Sequence, residues 1–67
     1  MMYFFENGLF MYNDTYYNIQ RINMDWIKIN YKRKKIQSCI YYNTERILDE
    51  YVVIDGVGIY ASKLVKV

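Results

Sequence analysis

One stretch constrains this chain more than any other. From Asp25 to Tyr42, apolar and polar residues alternate on either side of the basic run Lys32-Arg33-Lys34-Lys35. Period-two alternation is the signature of a half-buried β-strand. Folding the two arms back around Arg33-Lys34 opposes Tyr31 with Ile36, Ile29 with Ser38, Ile27 with Ile40 and Asp25 with Tyr42. Opposed residues of an antiparallel pair share a face. Ile27, Ile29, Tyr31, Ile36, Ile40 and Tyr42 are therefore expected on one apolar surface, with Trp26, Lys28, Cys39 and Tyr41 pointing away from it. The expectation is a central hairpin with a solvated basic tip.

The flanking segments read the same way. Asn7-Gly8 lies between apolar arms, the strongest short-range hairpin signal, and would oppose Phe5 with Phe10, Phe4 with Met11 and Tyr3 with Tyr12. Asn13-Asp14 is the next turn signal, followed by the β-prone run Thr15-Tyr16-Tyr17-Asn18-Ile19. A three-strand meander from Met2 to Ile19 results. Between Ile19 and Trp26 the apolar phase fits a helix face or a strand. It then switches from even to odd positions at Trp26-Ile27, as at a β-bulge or a turn near Asn23, and a bulged or broken strand is expected. Asn43-Thr44-Glu45-Arg46 reads as a turn. Residues 44–49 suit one helical turn capped by Thr44 or the start of a strand. Tyr51 to Ala61 forms a second clear hairpin around Asp55-Gly56, with Ile54 opposite Val57, Val52 opposite Ile59, and Tyr51, Val53, Gly58 and Tyr60 on the other face. The tail from Ser62 to Val67 alternates and extends a strand. The fold class is all-β: one domain over residues 1–67, built as a small antiparallel meander or an SH3-like or OB-like barrel of five to seven short strands.

A chain of 67 residues buries only about 60% of its unfolded surface. Small domains add disulfides, metals or oligomerisation. A single cysteine, Cys39, permits no internal disulfide, and with no histidine in the chain a structural zinc site lacks ligands. Oligomerisation or dense aromatic packing is left, and nine Tyr, three Phe and one Trp serve either. The lone cysteine suits a reducing compartment. The apolar N-terminus lacks a basic region and is stopped by Glu6, so it is not a signal peptide. No apolar run approaches the ~18 residues of a membrane span. A cytoplasmic protein with no membrane contact is expected. Its composition, rich in Phe, Tyr, Met, Ile, Asn and Lys, is the one AT-rich codons specify. It resembles that of small proteins from low-GC bacteria, their phages and their mobile elements.

Catalysis has little to stand on in this sequence. Without histidine there is no Ser-His or Cys-His dyad, and Cys39 sits in a strand with no helix N-terminus to activate it. Glu45, Asp49 and Glu50 read as a solvated loop rather than a magnesium site. Gly56-Val57-Gly58 lies in a hairpin, so it is no phosphate loop. No enzyme activity, cofactor or metal is expected. Nucleic-acid binding would use Lys32, Arg33, Lys34 and Lys35 beside Trp26, Tyr31, Tyr41 and Tyr42. Charged hairpin tips are equally at home as solvated, association-resistant features, and a net charge of +2 is mild. Protein binding is favoured, because Tyr, Trp, Phe, Met and Arg dominate interface cores and this chain has more Tyr than its core can use. Adjacent strand residues point to opposite faces, so one of Tyr16 and Tyr17, and one of Tyr41 and Tyr42, must face outward. The expected partner surface is Trp26, Lys28, Tyr41, Tyr16 and Tyr17. The expected function is a non-enzymatic protein-interaction module, a homodimer encoded by a phage or mobile element, that binds and inhibits a host defence protein. The alternative is a nucleic-acid-binding barrel using the basic tip.

Overall fold

Tight turns set the architecture of the computed structural model, which describes all residues from Met1 to Val67. Asn13 and Asp14 both take positive φ (52° and 61°), the backbone of a hairpin turn that matches strand twist. They join β2 (Gly8–Tyr12) to β3 (Thr15–Arg21). Asp55 and Gly56 do the same at 50° and 77°, joining β7 (Arg46–Ile54) to β8 (Val57–Tyr60). Ile54 faces Val57 and Val52 faces Ile59, in the register expected. Gly58 also has its reason: a Cβ there would lie 3.1 Å from the Tyr60 ring, which stacks on Tyr51 with centroids 4.9 Å apart.

The central ribbon folds differently from the expectation. The turn falls at Asn30-Tyr31, both at positive φ (48° and 68°), not at Arg33-Lys34. It joins β4 (Trp26–Ile29) to β5 (Lys32–Lys35), opposing Ile29 with Lys32 and Ile27 with Lys34. The basic run is thus a strand, not a tip. Asn30 explains the choice. Asn tolerates the left-handed region, and its side chain prolongs the β3 ladder. Oδ1 accepts the Asn18 N–H at 2.8 Å, and the Asn30 N–H reaches the Asn18 carbonyl at 2.9 Å. After Ile36 the chain enters β6 (Gln37–Tyr42), which pairs with β7, not with β4. Ile27, Ile29 and Ile36 are buried as expected, but Tyr31, Ile40 and Tyr42 are exposed.

Elsewhere the Asn7-Gly8 hairpin and the continuous tail strand are corrected, while the break near Asn23 and the strand alternative at 46–49 hold. Asn7-Gly8 makes no hairpin: β1 (Met2–Tyr3) pairs in parallel with β7, Met2 opposite Leu48. Only Gly8 of that dipeptide has positive φ, and the Asn7 side chain instead accepts the Arg21 N–H at 2.6 Å. The strand from Ile19 breaks after Arg21, where Asn23 Oδ1 accepts the N–H groups of Asp25 and Trp26 at 2.8 and 2.9 Å. Residues 46–49 are strand rather than helical turn, because pairing with both β6 and β1 outweighs a lone cap at Thr44. The tail forms a 3-10 turn, Ala61–Lys63, and then β9 (Val65–Lys66) beside β2.

Nine strands form two sheets and no closed barrel. One sheet has the order β5-β4-β3-β2-β9. In the other, β7 carries β6 on one edge and β1 and β8 on the opposite edge. The core between them is Phe5, Phe10, Ile19, Ile27, Ile29, Ile36, Val52 and Ile59. An ion pair also clamps the sheets. Arg21 on β3 donates both terminal nitrogens to Glu50 on β7, at 2.7 and 2.9 Å. Its remaining bonds go to the carbonyls of Phe5, Asn23 and Met24, and Glu50 also accepts the Phe5 N–H at 2.8 Å. The bond to Glu50 raises the Arg21 pKa against the opposing effect of burial. A bidentate, fully hydrogen-bonded pair is the arrangement in which a buried carboxylate is tolerated. No helix is long and apolar enough to cross a membrane.

Candidate interaction surfaces

Register decides which side chains share the outer face of the five-stranded sheet. The core side takes Ile19, Ile27 and Ile29, so the alternate residues point outward. These are Leu9 and Met11 from β2, Tyr16, Asn18 and Gln20 from β3, Trp26 and Lys28 from β4, Arg33 and Lys35 from β5, and Val65 from β9. Three of the expected partner residues, Trp26, Lys28 and Tyr16, therefore lie on one surface. Tyr17 does not join them: it turns inward and packs on the core. Tyr41 lies on the other sheet.

The basic run is divided by its strand. Arg33 and Lys35 join Lys28 on the outer face, and no carboxylate from any of the five strands shares it. Arg33 lies over the half-buried Trp26 ring, 5.2 Å from its centroid, a contact of about 0.5–1 kcal/mol at such a site. Lys32 and Lys34 point to the opposite side, across from Ile29 and Ile27.

The second surface is β6 itself. On β7, the Arg46 carbonyl accepts the Met1 ammonium at 2.8 Å and the Leu48 N–H reaches the Met1 carbonyl at 2.9 Å. Even-numbered residues of β7 thus bond toward β1, and the odd-numbered ones toward β6. Their partners Gln37, Cys39 and Tyr41 bond inward. The backbone groups of Ser38, Ile40 and Tyr42 consequently point to the outer edge, where no strand pairs. This strand is open on its faces as well: only Cys39 is half-buried. Ile40, Leu48 and Met2 form a cross-strand row on the face that, further along, covers the core at Val52. The five-stranded sheet covers that face as far as Glu50, where Arg21 reaches across. Beyond it Ile40 is 49% exposed, Met2 67% and Tyr42 75%.

The third feature is a cleft of about 320 Å³ lined by Cys39, Tyr41, Asp49, Tyr60, Ser62 and Lys63. Asp49 at its base is fully buried. It accepts the Ser62 N–H at 3.1 Å, the Ser62 hydroxyl and the Tyr41 hydroxyl. The Ser62 hydroxyl pulls the Tyr41 phenol down, but desolvation and the Asp49 charge outweigh it, so the phenol titrates above the ordinary tyrosine value. The Ser62 hydroxyl is bonded to a carboxylate that also accepts two other hydrogen bonds, an arrangement that anchors the 3-10 turn to β7. Nowhere do three or more Cys, Asp or Glu side chains gather as a metal-ligating group.

Two exposed residues escape a sequence reading. Tyr31, assigned to the core face by alternation, stands 87% exposed; the preceding Asn30 was the available turn signal. Ile40 looked like a core residue because nothing local shows that the chain changes sheets at Ile36. Comparison of the chain with family models, with curated proteins and with solved structures found no match.

Proposed function

We propose that this is a small non-enzymatic protein-interaction module, acting in the cytoplasm, whose binding element is the edge strand β6. One observation carries the reading. Ser38, Ile40 and Tyr42 turn unpaired backbone groups outward from a strand that bears no charged side chain. Adding a strand to an open edge is a recurrent mode of protein recognition: main-chain bonds give affinity and alternate side chains give selectivity. The exposed Ile40, Tyr42 and Met2 supply the apolar and aromatic contacts that interface cores favour. The reading extends to a phage or mobile-element inhibitor of a host defence protein. Small size, the AT-rich amino-acid composition and the absence of histidine support that extension. Affinity capture from a low-GC bacterial lysate with the wild-type chain and with Ile40→Lys tests it. A protein retained by the first and lost by the second is expected, and equal retention by both refutes the role of β6.

A second reading rests on a different face. Lys28, Arg33, Lys35 and Trp26 on one carboxylate-free surface suit a single-stranded nucleic acid, with cations along the backbone and an aromatic platform for a base. The measurement is a salt titration of oligonucleotide binding, compared with Lys28, Arg33 and Lys35 all replaced by Ser. Phosphate contacts would make affinity fall steeply with salt. No binding at low salt removes this reading.

A further inference from the structure

We infer that the occupant of the β6 edge is β6 of a second copy of this chain, paired antiparallel about a two-fold axis at Ile40. The inference rests on β6 being the binding element and names the strand that fills its edge when no foreign protein competes for it. Isologous two-fold contacts are the commonest way identical chains associate, and they require a strand complementary to itself. β6 meets that requirement in three respects.

The hydrogen-bonding phase fits. With Ile40 opposite Ile40 of the second copy, Ser38 falls opposite Tyr42 and Tyr42 opposite Ser38. These are the residues whose N–H and C=O groups point outward, so each opposed pair exchanges two backbone bonds. A shift of two residues, which keeps the phase, opposes Ser38 with Ile40 and leaves Tyr42 beyond the end of the paired strand. The Ile40-centred register therefore uses the edge most fully.

The side chains fit as well. The rows Met2-Leu48-Ile40 of the two copies meet at the axis, giving one continuous apolar band across the joined sheet. This band covers the exposed Ile40 and continues the face that buries Val52 within each copy. No like charges oppose one another, because Gln37 to Tyr42 carries none.

Finally, the edge lacks every common protection against strand addition: no lysine, no proline and no covering loop.

The test is the solution mass of the full chain by light scattering and sedimentation, from roughly 1 to 100 µM, since mass action makes a weak dimer visible only as concentration rises. Twice the monomer mass at the upper end is expected. Ile40→Lys places two ammonium groups across the axis and should hold the chain monomeric. Because Ile40 is half exposed, the variant should keep the wild-type circular dichroism. A wild-type chain that stays monomeric at the upper concentration overturns self-pairing. So does an Ile40→Lys chain that still dimerises. These outcomes are separable from the broader reading, which fails on a different result: a lysate protein held equally by wild type and Ile40→Lys.

Discussion

Strands β5 and β6 follow one another with only Ile36 between them, and both stand at the edge of a sheet, yet they are built in opposite ways. All four residues of β5 are cations. A strand added beside it would meet positive charge on both faces, so the edge is closed to partners although its backbone is open. β6 carries no charge at all, and offers Ile40, Tyr41 and Tyr42 with Ser38. Edge exposure alone does not make a strand available for pairing; the side chains decide whether the unpaired backbone can be used. The same difference relocates the basic run. Its charges discourage strand addition at that edge, and only Arg33 and Lys35 face the outer surface.

Ile27 and Ile40, residues that alternation would place opposite each other, should respond very differently to truncation. Ile27 is completely buried between the sheets and Ile40 is 49% exposed. Ile27→Ala should cost about 3–4 kcal/mol and Ile40→Ala less than about 1 kcal/mol, by chemical denaturation of the monomer. Equal costs would mean that β6 is covered within the chain itself. The clamp that ends the covered region comes next. Arg21→Ala leaves Glu50 buried without its cation and should destabilise the fold by about 3 kcal/mol. A loss below about 1 kcal/mol would show that Glu50 is reached by water. A smaller effect of opposite sign is expected at the β4–β5 turn. Tyr31 holds a left-handed backbone that costs an ordinary residue about 1–2 kcal/mol, so Tyr31→Gly should stabilise by about 1 kcal/mol after the entropy of glycine is deducted. No gain would mean that this aromatic ring contributes contacts of its own. The finest test leaves the energetics untouched. In dilute, monomeric protein the amides of Cys39 and Tyr41 should exchange slowly with solvent and those of Ser38, Ile40 and Tyr42 fast. At concentrations where two copies pair, the alternation should fade.

How far the residues announce all this depends on how local each decision is. Asn13-Asp14 and Asp55-Gly56 were legible because a two-residue turn is settled by the conformational freedom of those two residues. The register Val52–Ile59 followed directly. Asn30-Tyr31 was obscured by a bulky tyrosine where glycine is usual; the compensation comes from Asn18, twelve residues earlier. Asn7-Gly8 misled for the converse reason, since its local preference lost to the Asn7–Arg21 bond and to β7 as a partner for β1. The Arg21–Glu50 clamp spans 29 positions, and nothing in either neighbourhood points to the other. Of the expected partner residues, Trp26, Lys28 and Tyr16 do share a face. The β6 edge could not be found without knowing that the chain changes sheets at Ile36.

The two ends of the chain cross over. β1 completes the sheet otherwise formed by the C-terminal half, and β9 completes the sheet formed by the N-terminal half. Each half of the molecule thus lends the other a strand, like two hands with interlaced fingers. Neither sheet can come apart without stripping an outer strand from its neighbour, and neither can be assembled in full from its own half of the sequence. Heating should therefore meet one indivisible object, with a single sharp transition reported alike by the tyrosines of β6 and by Trp26. Severing the backbone between Lys35 and Gln37 should give two fragments that are unfolded apart and regain structure only when mixed.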